Sequence, residues 1–279
     1  MYKCFSLSIK NNIAHLQMNR PEKRNSMILD FWTELPEIIA DIDAGSKARV
    51  IVLSSTGPHF TAGLDKSLFA FVSEADREAD EDTRNIQSGA AFYHNVTQFQ
   101  TAFTSLEACR IPVLAAIQGG CIGGGIDLIT ACDMRYGTEN SFYTIFETNL
   151  AMTADVGTFP RLINLIPEGV VREMAYTGRN VTATEAKTLG LLNRVYPNQG
   201  SMLLGVMEIA TEIASKAPLA VSGCKKMITY SRDHSTKDAL DYVAIWNASH
   251  FKLTEVLEAM EANKADRPGH FASLPKRRV

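Results

Sequence analysis

Residues 111–155 read IPVLAAIQGGCIGGGIDLITACDMRYGTENSFYTIFETNLAMTAD, and this stretch decides the interpretation of the whole chain. Two glycine clusters, Gly119–Gly120 and Gly123–Gly125, interrupt an otherwise apolar run. Glycines cost backbone entropy on folding, so such clusters are typical of sites where the chain needs left-handed dihedral angles or where another group approaches the backbone. The pattern predicts a buried strand over Ile111–Ile117 that leads into exposed backbone N–H groups.

Three acidic residues follow the glycines. Asp127 falls in what we expect to be the first turn of a buried helix, and Glu147 and Asp155 each stand among apolar residues. Carboxyl groups beside bare N–H donors suit proton transfer on a substrate whose developing negative charge the donors stabilise. Each acid alone has a structural alternative, as a helix-terminus residue, a strand end or a helix cap. The combination of all three favours chemistry.

The composition is that of an ordinary globular protein, with 279 residues, 46% hydrophobic and 21% charged, and a net charge of −3. Lysine and arginine residues form no clustered basic face, so the sequence does not indicate nucleic-acid binding. Five scattered cysteines without C-x-x-C spacing predict reduced thiols, and Cys121 is expected to be a small buried residue rather than a nucleophile. Neither the cysteines nor the histidines show metal-ligand spacing, so we expect no metal. The glycines match no dinucleotide-binding or P-loop motif.

The N-terminal residues contain no long apolar segment followed by a cleavage site, so we expect no secretion signal. The C-terminal residues Lys276–Val279 match no peroxisomal tripeptide, and a cytoplasmic location is expected. Ile111–Met134 is the only candidate for membrane insertion, but Asp127 and the glycine density argue against it.

Hydrophobic periodicity predicts strands that alternate with helices up to about residue 197. Near the N-terminus we predict a hairpin over Phe5–Met18 that turns at Asn11–Asn12. A helix is predicted from an N-cap at Ser26 to Ile42, with Pro36 causing a kink or a late start. A buried strand over Arg49–Ser54 and an acidic solvated loop over Ser73–Thr83 follow. Later predictions are helices over Asn85–Leu106 and Thr184–Leu189 and a strand over Leu192–Tyr196.

From residue 198 onward the pattern is almost entirely helical, with too many apolar positions for a region that stands alone. We therefore expect an α/β core over residues 1–197 and a helical region over residues 198–279 that packs on the core or on another subunit.

Three motifs resemble successive signatures of the crotonase, or enoyl-CoA hydratase/isomerase, superfamily. They are NRPEKRNS at Asn19–Ser26, FTAGLD at Phe60–Asp65, and the stretch Ala116–Asp127, and they occur in the family's order and spacing. The resemblance covers essentially the whole chain. It is strongest to the dienoyl-CoA isomerase branch, through residues 119–127, 154–158, 230–235 and 240–242.

The resemblance implies a spiral of ββα units, with a helical C-terminal trimerisation region and assembly as a homotrimer or homohexamer. It implies an oxyanion hole made by the backbone N–H groups of Leu64 and Gly124, with Asp127, Glu147 and Asp155 as the catalytic acids. The implied contacts to an acyl-CoA thioester substrate are Lys23, Arg24, Ala62, Asp65, Lys66 and Gly123. No cofactor is implied beyond the coenzyme A of the substrate.

The implied reaction, in fatty-acid β-oxidation, moves the double bonds of a 3,5-dienoyl-CoA to give a 2,4-dienoyl-CoA, with Glu147 at C2 and Asp155 at C6. A hydratase is the alternative, because hydratases of the family use two glutamates at the positions of Asp127 and Glu147. They carry a glycine at the position of Asp155, and burying a carboxylate without a function is costly, so the isomerase is favoured. A noncatalytic CoA-binding protein stays open as a third possibility.

Overall fold

The computed structural model describes residues 2–68 and 81–277, except for the side chains of residues 81–88. Its strands are β1 (Phe5–Lys10), β2 (Ile13–Met18), β3 (Val50–Ser55), β4 (Val113–Ile117), β5 (Gly120–Ile122), β6 (Met134–Thr138), β7 (Phe142–Thr144), β8 (Val181–Thr182) and β9 (Arg194–Tyr196). Its α-helices are α1 (Leu29–Ala44), α2 (Glu81–Ala108), α3 (Gly124–Thr130), α4 (Thr158–Leu162), α5 (Glu168–Thr177), α6 (Ala183–Leu189), α7 (Gln199–Ser215), α8 (Pro218–Asp233), α9 (Thr236–His250) and α10 (Leu253–Lys264). Short 3₁₀ helices lie at Pro21–Lys23 and Glu147–Leu150.

The strands form two sheets. The main sheet has the order β1-β2-β3-β4-β6-β9, in which β1 runs antiparallel to β2 and the other neighbours are parallel. The small sheet has the order β5-β7-β8. The chain passes from β4 in the main sheet into β5 in the small sheet and then into α3, which is one strand-strand-helix unit of the predicted kind.

The N-terminal hairpin is confirmed. Asn11 and Asn12 have φ angles of 52° and 62°, and β1 pairs with β2 up to Lys10 and Ile13. Two central residues with positive φ are what a two-residue hairpin turn requires, and asparagine tolerates that conformation better than most residues.

Two predictions about helix boundaries are wrong. Helix α1 begins at Leu29 after Ile28, with Pro36 in its interior rather than near a late start, and Ser26 does not cap it. Ile28 occupies the N-cap position, and the Ser26 hydroxyl instead donates to the charged Oδ2 of Asp65 at 2.6 Å. The loop predicted over Ser73–Thr83 lies mainly outside the described residues, and its end is helical because α2 already begins at Glu81.

The main sheet is covered on both faces. The larger cluster of buried apolar side chains includes α1 and α2, whereas the second cluster lies between the opposite face and α7. In that second cluster Met202 and Val206 of α7 pack with Val50 and Leu114 of the sheet. The first helix after residue 198 therefore belongs to the packed core, while the division into two regions at that residue stays a prediction.

Parallel pairing brings the sequence motifs together. Because β2, β3 and β4 are parallel, the loops that follow their carboxyl ends meet at the same edge of the main sheet. The buried Gln118 fixes two of these loops, since its Nε2 donates to Oγ of Ser55 at 2.8 Å and to the carbonyl oxygen of Gly57 at 3.1 Å. The three family-like motifs thus border one site.

Candidate active site

Two chain segments run side by side at this edge. Thr61 forms a parallel bridge with Cys121: its N–H donates to the Gly120 carbonyl at 3.1 Å, and its carbonyl accepts from Ile122 at 3.2 Å. Leu64 and Gly124 each lie three residues beyond the bridged pair, so parallel pairing brings them together. A β-carbon placed on Gly124 would lie 3.9 Å from the Leu64 nitrogen.

The orientation of two peptide groups leaves two N–H donors free. The carbonyl of Gly63 accepts from Met27 N–H at 2.9 Å, and the carbonyl of Gly123 accepts from Ile126 N–H at 2.7 Å. A trans peptide directs its N–H away from its carbonyl, so the N–H groups of Leu64 and Gly124 point away from these bonds. Both peptides follow a glycine with positive φ, 80° at Gly63 and 54° at Gly123, which other residues rarely adopt.

Neither N–H donates to a protein acceptor in the described part of the chain. For Gly124 this follows from its place as the first residue of α3, where no intrahelical acceptor exists. Two free donors a few ångströms apart form a site for an oxygen atom that gains negative charge.

Asp127 lies in the first turn of α3 and is completely buried. Its Oδ1 accepts a hydrogen bond of 2.6 Å from the N–H of Thr158, and its Oδ2 has no partner among the described residues. Burial raises the pKa of Asp127 to about 7, the charges of Glu147 and Asp155 add to this shift, and the hydrogen bond from the Thr158 N–H opposes it. The carboxyl group is therefore poised to titrate near neutral pH.

Glu147 begins the 3₁₀ helix that follows β7, and its carboxyl group lies over the glycine turn. A β-carbon on Gly123 would lie 3.1 Å from Oε1 of Glu147, whereas Oε2 is buried without a partner in the described structure. Burial raises the pKa of Glu147, backbone N–H groups of Phe146 and Glu147 itself lower it, and the charge of Asp155 raises it further. The Glu147 carboxylate, with Oε1 against the glycine turn, can accept a substrate proton.

Asp155 precedes α4 in an irregular segment, and the residue is exposed. Partial enclosure of its carboxyl group raises the pKa by desolvation, while its own backbone N–H lowers it. Gln100 of α2 donates to the backbone carbonyl of Asp155 at 2.7 Å. The structure thus brings the three predicted acids close enough that the charge of Asp155 raises the pKa of the other two. Asp127 lies innermost and Asp155 outermost.

The residues predicted to contact CoA surround the same turn. Lys23, Arg24 and Lys66 are exposed, with no ion pair among the described residues. Ala62 donates its N–H to the Arg24 carbonyl at 2.9 Å. These loops therefore present cations to solvent at the edge where the acids lie.

Asp65 has a different environment from the other predicted CoA contacts. Its Oδ2 accepts from Ser26, and its Oδ1 accepts from the N–H and hydroxyl of Ser67 at 3.0 and 2.8 Å. Hydrogen bonds from Ser26 and Ser67 lower the pKa of Asp65 to about 2, and Arg20 at 3.9 Å contributes. Through its bond to Ser26, the Asp65 carboxylate connects the loop after β2 to the loop that carries Leu64.

Three supporting residues escaped the sequence analysis. The N–H of Thr158 holds Asp127, and the hydroxyls of Thr144 and Thr148 donate to the carbonyls of Gly178 and Ala175 on either side of Glu147. The only available signal was for Thr158, because a residue that follows a glycine at the start of a helix offers a free N–H group to an anion. The expectation for Cys121 is confirmed, since it is fully buried and its thiol pKa lies well above its ordinary value.

The fold and site define an α/β enzyme in which paired N–H donors face a cluster of acids, and comparison identifies its family. The profile of the enoyl-CoA hydratase/isomerase family matches residues 8–272, so the chain belongs to that family. Among the described residues, the structure contains no helix that is both long and apolar enough to cross a membrane.

Similar proteins include several dienoyl-CoA isomerases. The chain is 40% identical to the mitochondrial Δ(3,5)-Δ(2,4)-dienoyl-CoA isomerase of Mus musculus over 258 residues, which cover 91% of this chain and 77% of that protein. It is 38% identical to the peroxisomal enzyme of that name from Arabidopsis thaliana over 276 residues, which cover 98% of each chain. The chain is therefore an enzyme, and these relatives place it among the isomerases of the crotonase family.

Solved structures confirm the crotonase fold. The structure superposes on enoyl-CoA hydratase from Bacillus anthracis with a TM-score of 0.85 at 29% identity, covering 98% of this chain and 100% of the other. A Thermobifida fusca structure that holds acetoacetyl-CoA matches with a TM-score of 0.78 at 24% identity, covering 88% and 94% of the two chains. The second likeness shows the fold alone.

Proposed function

We propose that the protein converts a 3,5-dienoyl-CoA into a 2,4-dienoyl-CoA during fatty-acid β-oxidation. The observation that carries this proposal is the third carboxyl group, Asp155, beside the Asp127–Glu147 pair and the two free N–H donors. The names of the relatives at 38–41% identity support the same substrate class.

The N–H groups of Leu64 and Gly124 stabilise the thioester oxygen. When a proton leaves C2, the electron pair delocalises through the two double bonds and onto this oxygen, giving a dienolate. Donors held in place beforehand lower that barrier without reorganisation, and loss of one such donor typically reduces the rate by about 10²–10³-fold.

Two carboxyl groups carry the protons. The Glu147 carboxylate takes a proton from C2, and the Asp155 carboxylic acid gives a proton to C6, so the double bonds move from C3 and C5 to C2 and C4. Proton exchange between the acids or with water then restores their starting states. Desolvation raises the pKa of both groups, so the cluster holds a proton more readily than separate, solvated carboxyl groups would.

Asp127 supports this cluster from its buried position. Its Oδ1 is bonded to Thr158, so it keeps one free carboxyl oxygen, Oδ2, with which to share a proton with its neighbours. Its raised pKa limits the negative charge that the three acids carry together.

Hydration of a 2-enoyl-CoA is the second candidate, because an enoyl-CoA hydratase shares the fold at 29% identity. That reaction requires two carboxyl groups to hold one water molecule. Asp127 is fully buried and bonded to Thr158, which favours a role as a support over contact with water. The isomerase is therefore the better candidate.

The CoA moiety is assigned to the exposed cations at the site. Lys23, Arg24 and Lys66 carry positive charge on the loops that flank the N–H donors, which suits the phosphates of an acyl-CoA. The proposed reaction exchanges protons only, so it requires no cofactor beyond the CoA of the substrate. A cytoplasmic location stays a prediction, since relatives are named mitochondrial or peroxisomal.

We also propose that the protein assembles as a homotrimer or homohexamer through its C-terminal helices. Large apolar side chains are exposed on α8, α9 and α10, among them Ile228, Leu240, Ile245, Leu257 and Met260. Apolar surface of this extent on neighbouring helices typically marks an interface. Light scattering is expected to give a mass of three or six chains, and a mass of one chain at micromolar concentration would contradict the proposal.

An ultraviolet assay tests the reaction. A 3,5-dienoyl-CoA is expected to gain the absorbance of a conjugated 2,4-diene, and Asp155→Asn is expected to abolish that gain. Asp266→Asn is the matched control, because Asp266 is exposed and has a positive φ that asparagine tolerates. Consumption of a 2-enoyl-CoA without any diene signal, unchanged by Asp155→Asn, would establish a hydratase instead.

A further inference from the structure

The segment between Asp155 and Thr158 holds two parts of the site without regular structure of its own. It carries the Asp155 carboxyl group and, three residues later, the N–H that bonds Oδ1 of Asp127. Helix α4 after it has only five residues, so backbone pairing within the segment does little to fix its position. Contacts from other elements must set where the two acids lie.

One face of α2 supplies those contacts. Gln100, Thr104 and Glu107 are spaced by four and then three residues, which places them on one side of the helix. Gln100 bonds the Asp155 carbonyl at 2.7 Å, and Nη2 of Arg161 donates to Oγ1 of Thr104 and Oε2 of Glu107 at 3.2 Å each. The α2 face therefore contacts the segment at Asp155 and, just beyond it, at Arg161.

Arg161 lies directly against the segment that it supports. A β-carbon on Gly157 would overlap the Arg161 guanidinium, and Gly157 has a φ of 129°. The guanidinium thus packs on the backbone midway between Asp155 and Thr158. Only 12% of the Arg161 side chain is exposed, compared with 18% for Glu107, so solvent screens this ion pair weakly.

Glu107 also connects the segment to the C-terminal helices. Its Oε1 accepts from Nη1 of Arg232 in α8 at 2.5 Å, while its Oε2 serves Arg161. Arg232 is held in turn by Asp233, with Nε at 3.0 Å from Oδ1. One carboxylate thereby fixes two arginines, one beside the acids and one in the helical region.

We propose that Arg161, held by Glu107, is a positioning residue that sets the reach of Asp155 toward C6 and holds the Thr158 N–H against Asp127. This rests on the proposed isomerase function. Because Glu107 balances its charge, Arg161 acts through geometry. The thioester end, formed by Leu64, Gly124 and Glu147, does not depend on this contact.

The test compares Arg161→Gln with Arg172→Gln. Arg172 forms an exposed ion pair with Glu168 and donates to Tyr176, both on its own helix α5, so the control removes the same kind of group without touching the α2 contacts. For Arg161→Gln, kcat for diene formation is expected to fall about 10–100-fold, as expected for a displaced catalytic group, with KM changed less than about twofold. Exchange of the C2 protons with D₂O, which needs only Glu147 and the N–H donors, is expected to persist.

A conservative variant separates positioning from folding. Arg161→Lys keeps the charge but lacks the planar fork, so it is expected to recover part of kcat while its melting temperature stays close to that of the wild type. Equal losses of diene formation and C2 exchange in Arg161→Gln would overturn the inference, as would a kcat within about twofold of the wild type.

Amide hydrogen exchange supplies a readout that does not depend on activity. Arg161→Gln is expected to speed exchange in residues 154–162, including the Thr158 N–H, with little change elsewhere in the chain. Unchanged exchange in this segment would refute the inference. A wild-type protein that forms no diene would refute the proposed function instead, and the exchange result would still decide the role of Arg161.

Discussion

At the scale of single residues, the ionisation of Asp127 opposes folding. Its pKa is raised from 3.8 to about 7, so the folded state binds a proton that the unfolded chain has already released over this range. This group therefore makes the protein progressively less stable as pH rises from about 4 to 7, and the cost is fully present above pH 7.

Asp127→Asn is expected to remove this pH dependence. Asparagine keeps an oxygen for the Thr158 N–H but does not ionise, so its stability relative to the wild type is expected to improve between pH 4 and pH 7. The change is at most about 4 kcal/mol, since each pKa unit corresponds to about 1.4 kcal/mol. Urea unfolding at several pH values and one protein concentration measures it, and a pH-independent difference would contradict the assigned cause.

The sequence singled out the acids and the N–H donors as candidates, but not the residues that hold them. Asp127, Glu147 and Asp155 were predicted because they lie in recognisable motifs. The Ser26–Asp65 bond joins residues 39 positions apart, and the Arg161–Glu107 contact joins residues 54 positions apart. Local patterns carry no information about such partners, so Ser26 was wrongly predicted to cap a helix.

At the scale of elements, the turn from β5 into α3 is adapted to leave space for Glu147. Gly123 combines a φ of 54° with a position where a β-carbon would lie 3.1 Å from the Glu147 carboxylate. The turn therefore serves both the N–H donor of Gly124 and the proton acceptor.

Gly123→Ala is expected to lower kcat for the diene about 100-fold, because it strains the turn and displaces Glu147. Gly169→Ala is the matched control, since a β-carbon there has no neighbour within 4 Å and the residue lies inside α5. That control is expected to keep full activity and to stabilise the protein by about 0.5–1 kcal/mol. Steady-state kinetics and urea unfolding provide both measurements, and full activity in Gly123→Ala would refute this account of the turn.

Elements with strong local signals were predicted well, and those that depend on distant packing less so. The hairpin at Asn11–Asn12 follows from turn chemistry, and β3 and β4 follow from their apolar runs. The packing of α7 on the main sheet was left open between the core and another subunit. Its buried residues are helically spaced in the sequence, but the surface that they contact is set by the fold.

At the scale of the whole molecule, three separate parts of the chain assemble the site. The loop after β3 supplies Leu64, the turn before α3 supplies Gly124, and the connection from β7 to α4 supplies both Glu147 and Asp155. The parallel main sheet brings the first two parts to one edge, and the parallel pairing of β5 with β7 in the small sheet places the third beside them. The family resemblance predicted this arrangement, because periodicity alone does not specify how strands are ordered in a sheet.

The central claim is that Glu147 and Asp155 serve opposite ends of the substrate. Proton NMR of a 3,5-dienoyl-CoA in D₂O tests it by following C2 exchange and 2,4-diene formation together in Glu147→Gln and Asp155→Asn. Glu147→Gln is expected to lose both signals, whereas Asp155→Asn is expected to lose the diene and keep C2 exchange. C2 exchange that survives in Glu147→Gln but disappears in Asp155→Asn would contradict the assignment.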